Sequence, residues 1–185
     1  MGSAAIALLL IVGLSSCWPG NRDEGEQQSD SAPTEAPSDL KNLETNVQIT
    51  VPEDWIAVGD SVRGSADIYA TNQSRDLYAS VLSESSDVLS QFDLENNAEQ
   101  YRWLIQKKMD SNFKAVDRLG TTTINGMPAV QYEISGNVDG VPVVYLHTTV
   151  KGEDSYYQVV GWTTEDLYPE NKDTLQQIVK SFRDS

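Results

Sequence analysis

The sequence predicts an α+β fold, an antiparallel β-sheet flanked by helices in an α/β/α sandwich. Two observations carry this. The dipeptides Asn125-Gly126 and Asp139-Gly140 each sit between runs of strand-forming residues. Both positions of such a pair tolerate the positive φ that a two-residue hairpin needs, so the strands they join are antiparallel neighbours. Two other stretches change to a helical period, and each must bury its apolar stripe against that sheet.

The elements follow in order. Val47-Gln48-Ile49-Thr50-Val51 alternates and stops at Pro52, as a half-buried strand does. Residues 65–71 and 77–82 are further strands, parted by the turn-forming Asn72-Gln73-Ser74-Arg75-Asp76. Over residues 94–113 the period changes. Leu94, Ala98, Tyr101, Ile105 and Met109, with Leu104, form one helical face, and Asp93 stands at the N-cap position. Strands at 121–124 and 127–135 flank Asn125-Gly126, and a strand at 141–150 follows Asp139-Gly140. Gly152-Glu153-Asp154 turns the chain into a strand at 156–163. A last helix at 169–182 buries Leu175, Ile178, Val179 and Phe182. Residues 42–185 are a comfortable length for one domain with a single core.

Residues 1–41 have a different character. Cys17 is the only cysteine of the 185 residues and closes Leu14-Ser15-Ser16-Cys17, directly after an apolar run at 4–14. That tetrapeptide resembles a bacterial lipobox. The resemblance implies cleavage before Cys17 and a diacylglycerol on its thiol, so residues 1–17 are read as a lipoprotein signal peptide. The apolar run is shorter than the roughly 20 residues a membrane-spanning helix needs, and it suits a signal-peptide core. No Lys or Arg precedes it. Residues 18–41 are read as a disordered acidic linker, poor in apolar side chains and rich in Ser, Pro, Glu and Asp. A flexible chain of this size spans roughly 25 Å, enough to hold a domain just off a membrane.

The formal charge is −15. Asp23, Glu24, Glu26, Asp30, Glu35 and Asp39 lie within residues 18–39 against Arg22 alone, and the remaining excess belongs to residues 41–185. A surface of this sign repels phosphate backbones, so nucleic acid is not an expected partner. It also repels anionic headgroups, so the lipid and not the surface charge would hold the protein at a membrane.

Little in the sequence points to catalysis. His147 is the only histidine and alternates onto the face of Val143, Tyr145 and Thr149, as a sheet-face histidine held by a hydrogen bond would. One histidine and no second thiol supply a transition metal poorly. No phosphate-binding glycine loop, HExxH or GxSxG is present. No cofactor and no enzymatic activity are expected. The aromatic residues give two candidate sites. Trp103 falls beside the main apolar face of its helix, where an exposed indole would anchor an interface. Trp55, Tyr132 and Trp162 are candidate lining for a pocket between sheet and helix. Tyr156 and Tyr157 point to opposite faces of their strand, so one of them is expected at the surface.

The domain resembles the Mog1/PsbP-like family. Its features are the strand ending Val51-Pro52-Glu53-Asp54-Trp55, a mid-chain helix, and the hairpin Thr123-Ile124-Asn125-Gly126-Met127-Pro128-Ala129. After these come Val159-Val160-Gly161-Trp162-Thr163 and a last helix ending Ile178-Val179-Lys180-Ser181-Phe182-Arg183. With the lipobox and linker ahead of it, the chain is similar to DcrB-type and PsbP-related bacterial lipoproteins. The resemblance implies an antiparallel sheet between helices and a binding role without shared catalytic residues. The expected function is a membrane-anchored, extracytoplasmic accessory or assembly domain of a cell-envelope complex, with a protein partner. The alternative is a small-molecule-binding lipoprotein.

Overall fold

The computed structural model describes residues 37–59, 64–85, 92–110 and 115–184. In chain order the elements are β1 (Ser38–Asn42), β2 (Val47–Val51), β3 (Ile56–Ala57), β4 (Ile68–Asn72), β5 (Leu77–Ser85) and α1 (Leu94–Lys108). They continue with β6 (Ala115–Ile124), β7 (Met127–Val138), β8 (Val141–Lys151), β9 (Ser155–Thr164), α2 (Tyr168–Ser181) and β10 (Arg183–Asp184). Seven strands form the main sheet in the order β3-β4-β5-β9-β8-β7-β6, and β1-β2-β10 form a small second sheet. Every pairing in both sheets is antiparallel.

The two predicted hairpins form as their turn residues require. Asn125 and Gly126 have φ of 48° and 88°, and Asp139 and Gly140 have 51° and 80°. Positive φ at both central residues matches the twist of the strands that each turn joins. Helix α1 begins where Asp93 accepts a bond from the Asn96 N–H at 2.8 Å. It ends at Lys108, short of residue 113. Asp110 instead ties the chain to the β7–β8 hairpin, donating from its N–H to the Asn137 carbonyl (2.7 Å) and accepting the Gly140 N–H (2.9 Å).

The main sheet has a core on each face. Against one lie α2 and the small sheet, with Ile49, Val51, Leu77, Val81, Leu146, Leu175, Ile178 and Phe182 packed together. Each such side chain contributes about 1.5–3 kcal/mol by leaving water. Against the other face lies α1, whose Ala98, Tyr101 and Ile105, with Met109 just past its end, meet Val130, Tyr132, Ile134, Tyr145 and Val160. The apolar face predicted for α1 is the one that is buried.

Three expectations are corrected. Residues 38–41, read as linker, are strand: β1 pairs with β2 over Ser38–Asn42, Leu40 packs on the core, and Asp39 accepts a bond from the Thr50 hydroxyl at 2.7 Å. The molecule is also richer in strand than a simple α/β/α sandwich, with 53% of the described residues in strands and 24% in helices. The layer beside α2 is itself partly a sheet. Finally, neither Tyr156 nor Tyr157 reaches the surface, both being about 5% exposed. Strand β9 lies near the middle of the main sheet with a covered face on either side, so alternation moves a side chain from one core to the other.

Candidate functional site

Trp103 lies on the outward side of α1 and is 47% exposed. Helical geometry places it off the stripe of Ala98, Tyr101 and Ile105, which faces the sheet. The Lys107 ammonium sits 3.6 Å from the centroid of its ring, one turn further on. This is cation–π contact between i and i+4 neighbours. Glu99, Gln100, Arg102 and Trp103 line a surface depression of about 360 Å³. Arg102 is held along the helix by Glu99, with Nη2 at 2.5 Å from Oε2, and by Gln106. Glu99 also accepts the Tyr132 hydroxyl at 2.8 Å. The Arg102 bond, followed by the Tyr132 bond, holds the Glu99 carboxyl below its usual range. Glu95 reaches Arg118 on β6. The helix surface around Trp103 is thus fixed by side-chain bonds to the helix itself and to the sheet below.

Directly beneath α1 is a buried polar chain. His147 is fully buried on β8, with Nε2 at 2.9 Å from Gln158 Oε1. Gln158, also fully buried, accepts a second bond from the Thr149 hydroxyl (2.7 Å) and donates to Asn97 Oδ1 (2.8 Å) and Glu84 Oε2 (3.0 Å). Its amide is saturated, and it links the histidine to a carboxylate on β5. Tyr101 of α1 and Tyr132 of β7 stack on the imidazole at 5.0 and 6.2 Å. Burial pushes His147 down to about 4, only partly offset by the Gln158 bond, so the ring is neutral at physiological pH. Since Gln158 Oε1 can only accept, Nε2 carries the proton. His147 Nδ1 and the Tyr101 hydroxyl have no partner. Burial raises the pKa of Glu84, against the lowering effect of its Gln158 and Asn97 bonds. The Thr149 hydroxyl lies 3.1 Å from His147 Nε2 but gives its own proton to Gln158 Oε1 at 2.7 Å, and all three side chains are fully buried, so this contact is a closed part of the polar chain. The expected hydrogen-bonded sheet histidine is what the structure shows.

The three candidate pocket residues do not come together. Trp55 is buried in the core beside α2, whereas Tyr132 and Trp162 are buried in the core beside α1. The sheet stands between them. Trp162 instead continues a cross-strand row, stacked on Tyr78 (5.3 Å) and Tyr145 (5.8 Å), with Tyr69 edge-on at 5.7 Å. Tyr132 stacks on His147, and burial with its Glu99 bond pushes its hydroxyl up to about 12. These rings pack within two separate cores among the described residues. Cys17 lies outside the described residues.

Sequence reasoning missed Lys107 and Gln158. The i, i+4 spacing of Trp103 and Lys107 was the available signal for the first. Gln158 shares a strand face with Tyr156 and Val160, so alternation alone marked it as a buried amide in need of partners. Among the described residues no three His, Cys, Asp or Glu side chains gather as a metal site. Among them, too, no helix is long and apolar enough to cross a membrane.

No protein-family model matches the sequence. No characterised protein matches it by sequence. Solved structures do match. The cyanobacterial PsbP (CyanoP) of Synechocystis sp. PCC 6803 superposes with a TM-score of 0.59 at 12% identity, over 86% of this chain and 98% of that one. LpqN of Mycobacterium tuberculosis, described as involved in cell envelope biogenesis, superposes with a TM-score of 0.53 at 16% identity, over 80% of this chain and 89% of that one. At such identities the likeness is one of fold. The domain has a PsbP-like fold.

Proposed function

We propose that this chain is a lipid-anchored, extracytoplasmic accessory domain that binds a protein partner in the cell envelope through the outward face of α1. The single observation behind this reading is Trp103. It is a large indole held half-exposed on a helix whose neighbours Glu99, Arg102 and Lys107 are already fixed. A rigid exposed indole loses little entropy on burial and is a common anchor of interfaces. The lipobox-like Leu14-Ser15-Ser16-Cys17 supports an anchored, extracytoplasmic location. The envelope role described for LpqN, on the same fold, supports the setting. The small-molecule alternative is less well supported, because Trp55 lies in one core and Tyr132 and Trp162 in the other.

Crosslinking in intact cells, followed by capture and mass spectrometry, tests the reading, with Cys17→Ala alongside. One envelope complex captured with the parent and depleted with Cys17→Ala is the expected result. Free monomer in both would overturn it.

A further inference from the structure

The end of α1 just beyond Trp103 carries charge opposite in sign to that of the molecule. The chain carries 28 Asp and Glu against 13 Lys and Arg, a net −15. Residues 100–109 nevertheless hold Arg102, Lys107 and Lys108 and no acid. Arg102 is neutralised by Glu99. Lys107 and Lys108 have no acidic partner among the described residues, and both are exposed. They end α1, where cations answer the helix dipole. That role does not require Lys107 to lie on the face of an exposed indole, 3.6 Å from its centroid. Ammonium and ring together form a two-part anchor, one part apolar and one cationic. The adjoining depression, walled by Glu99, Gln100 and Arg102, gives it a concave side.

We infer that this face takes an acidic partner segment with one apolar side chain. The apolar group packs on Trp103 in the depression, and a carboxylate one or two residues away pairs with Lys107. This rests on the protein-binding reading above and specifies the chemistry of the partner. A basic partner would be drawn to the rest of the surface but would meet the Lys107 ammonium here. Like charges at an interface act against a wrong partner.

The test is a selection of displayed short random peptides on the immobilised full-length chain, counter-screened against Trp103→Ala. The retained peptides should have net negative charge and an aromatic or branched aliphatic residue. Trp103→Ala should weaken them about tenfold or more, as loss of an interface anchor does. Lys107→Glu should do the same, while a copy with its acids replaced by Lys should not bind the parent. Unchanged melting temperatures would show that the variants are folded, as these side chains are exposed. Neutral or basic peptides, peptides indifferent to Trp103→Ala, or no enrichment would each overturn the inference. So would capture of the chain by phosphatidylglycerol vesicles through Trp103, which would put a lipid headgroup in place of the segment. If crosslinking in cells still returns a partner at α1 while the peptides are basic, the charge assignment alone fails. If crosslinking returns none, the binding reading fails first.

Discussion

The two faces of the main sheet are built differently. The face beneath α2 is mainly an apolar core, closed by Leu175, Ile178, Val179 and Phe182 and backed by the small sheet, with one polar patch where Gln131 bonds Thr148 (2.8 Å) and Gln176 of α2 (2.9 Å). The face beneath α1 carries His147, Gln158, Asn97 and Thr149 among its aromatic rings, and leaves His147 Nδ1 and the Tyr101 hydroxyl unpaired. Apolar burial is non-directional and adds stability with area. A buried polar chain adds little net stability but fixes which groups must meet. The α2 face therefore holds the fold, and the α1 face sets the position of one helix whose outer side carries Trp103.

Substitutions can break this contrast, and the largest effect belongs to the α2 face. Leu175→Ala or Phe182→Ala should cost about 2–5 kcal/mol in urea unfolding, since both side chains are fully buried. Next is Gly161→Val. A Cβ at Gly161 would stand 3.0 Å from Leu175 Cδ2, so β9 and α2 approach too closely for a branched side chain. A loss of about 1–3 kcal/mol by thermal unfolding is expected. If either change proves harmless, the α2 face is not the main support.

The α1 face should show itself in pH dependence. His147 is depressed to about 4 from 6.5, so between these values the unfolded chain binds more protons than the folded one. Its stabilising contribution is present above 6.5 and is lost as pH falls through that window, by up to about 3 kcal/mol. Glu84 is raised, and so works in the opposite sense: its contribution is present at low pH and fades as pH rises past its folded value. Unfolding measured from pH 4 to 7 should therefore become steeper in favour of high pH through His147, and His147→Leu should flatten the profile. An unchanged slope in that variant would assign it to other groups. The smallest effect on stability is at the surface. Trp103→Ala should move unfolding by no more than about 0.5 kcal/mol while removing partner capture.

Much of this contrast was legible in the sequence, and the rest was not for specific reasons. The stripe of Ala98, Tyr101 and Ile105 with its Asp93 cap, and both positive-φ hairpins, follow from local rules that the sheet did not override. Ser38-Asp39-Leu40-Lys41 reads as linker because only Leu40 is apolar, and its strand state depends on β2 as a partner. The grouping of Trp55 with Tyr132 and Trp162 failed for a related reason. Alternation says that neighbouring side chains point opposite ways, but which face of a distant strand is shared depends on strand order. Alternation put Gln158 on the face of Tyr156 and Val160, but its partners Asn97, Glu84 and His147 come from three other elements and were not legible from β9 alone. The outward position of Trp103, by contrast, needed only the helical period.

The central claim is that partner contact belongs to the outward side of α1 and not to α2. A photo-crosslinking residue placed at position 103, or at exposed position 173 on α2, would test it in intact cells. Capture of one envelope protein from 103 and none from 173 is the expected result. Equal capture from both positions, or capture from 173 alone, would contradict the division of labour between the two faces.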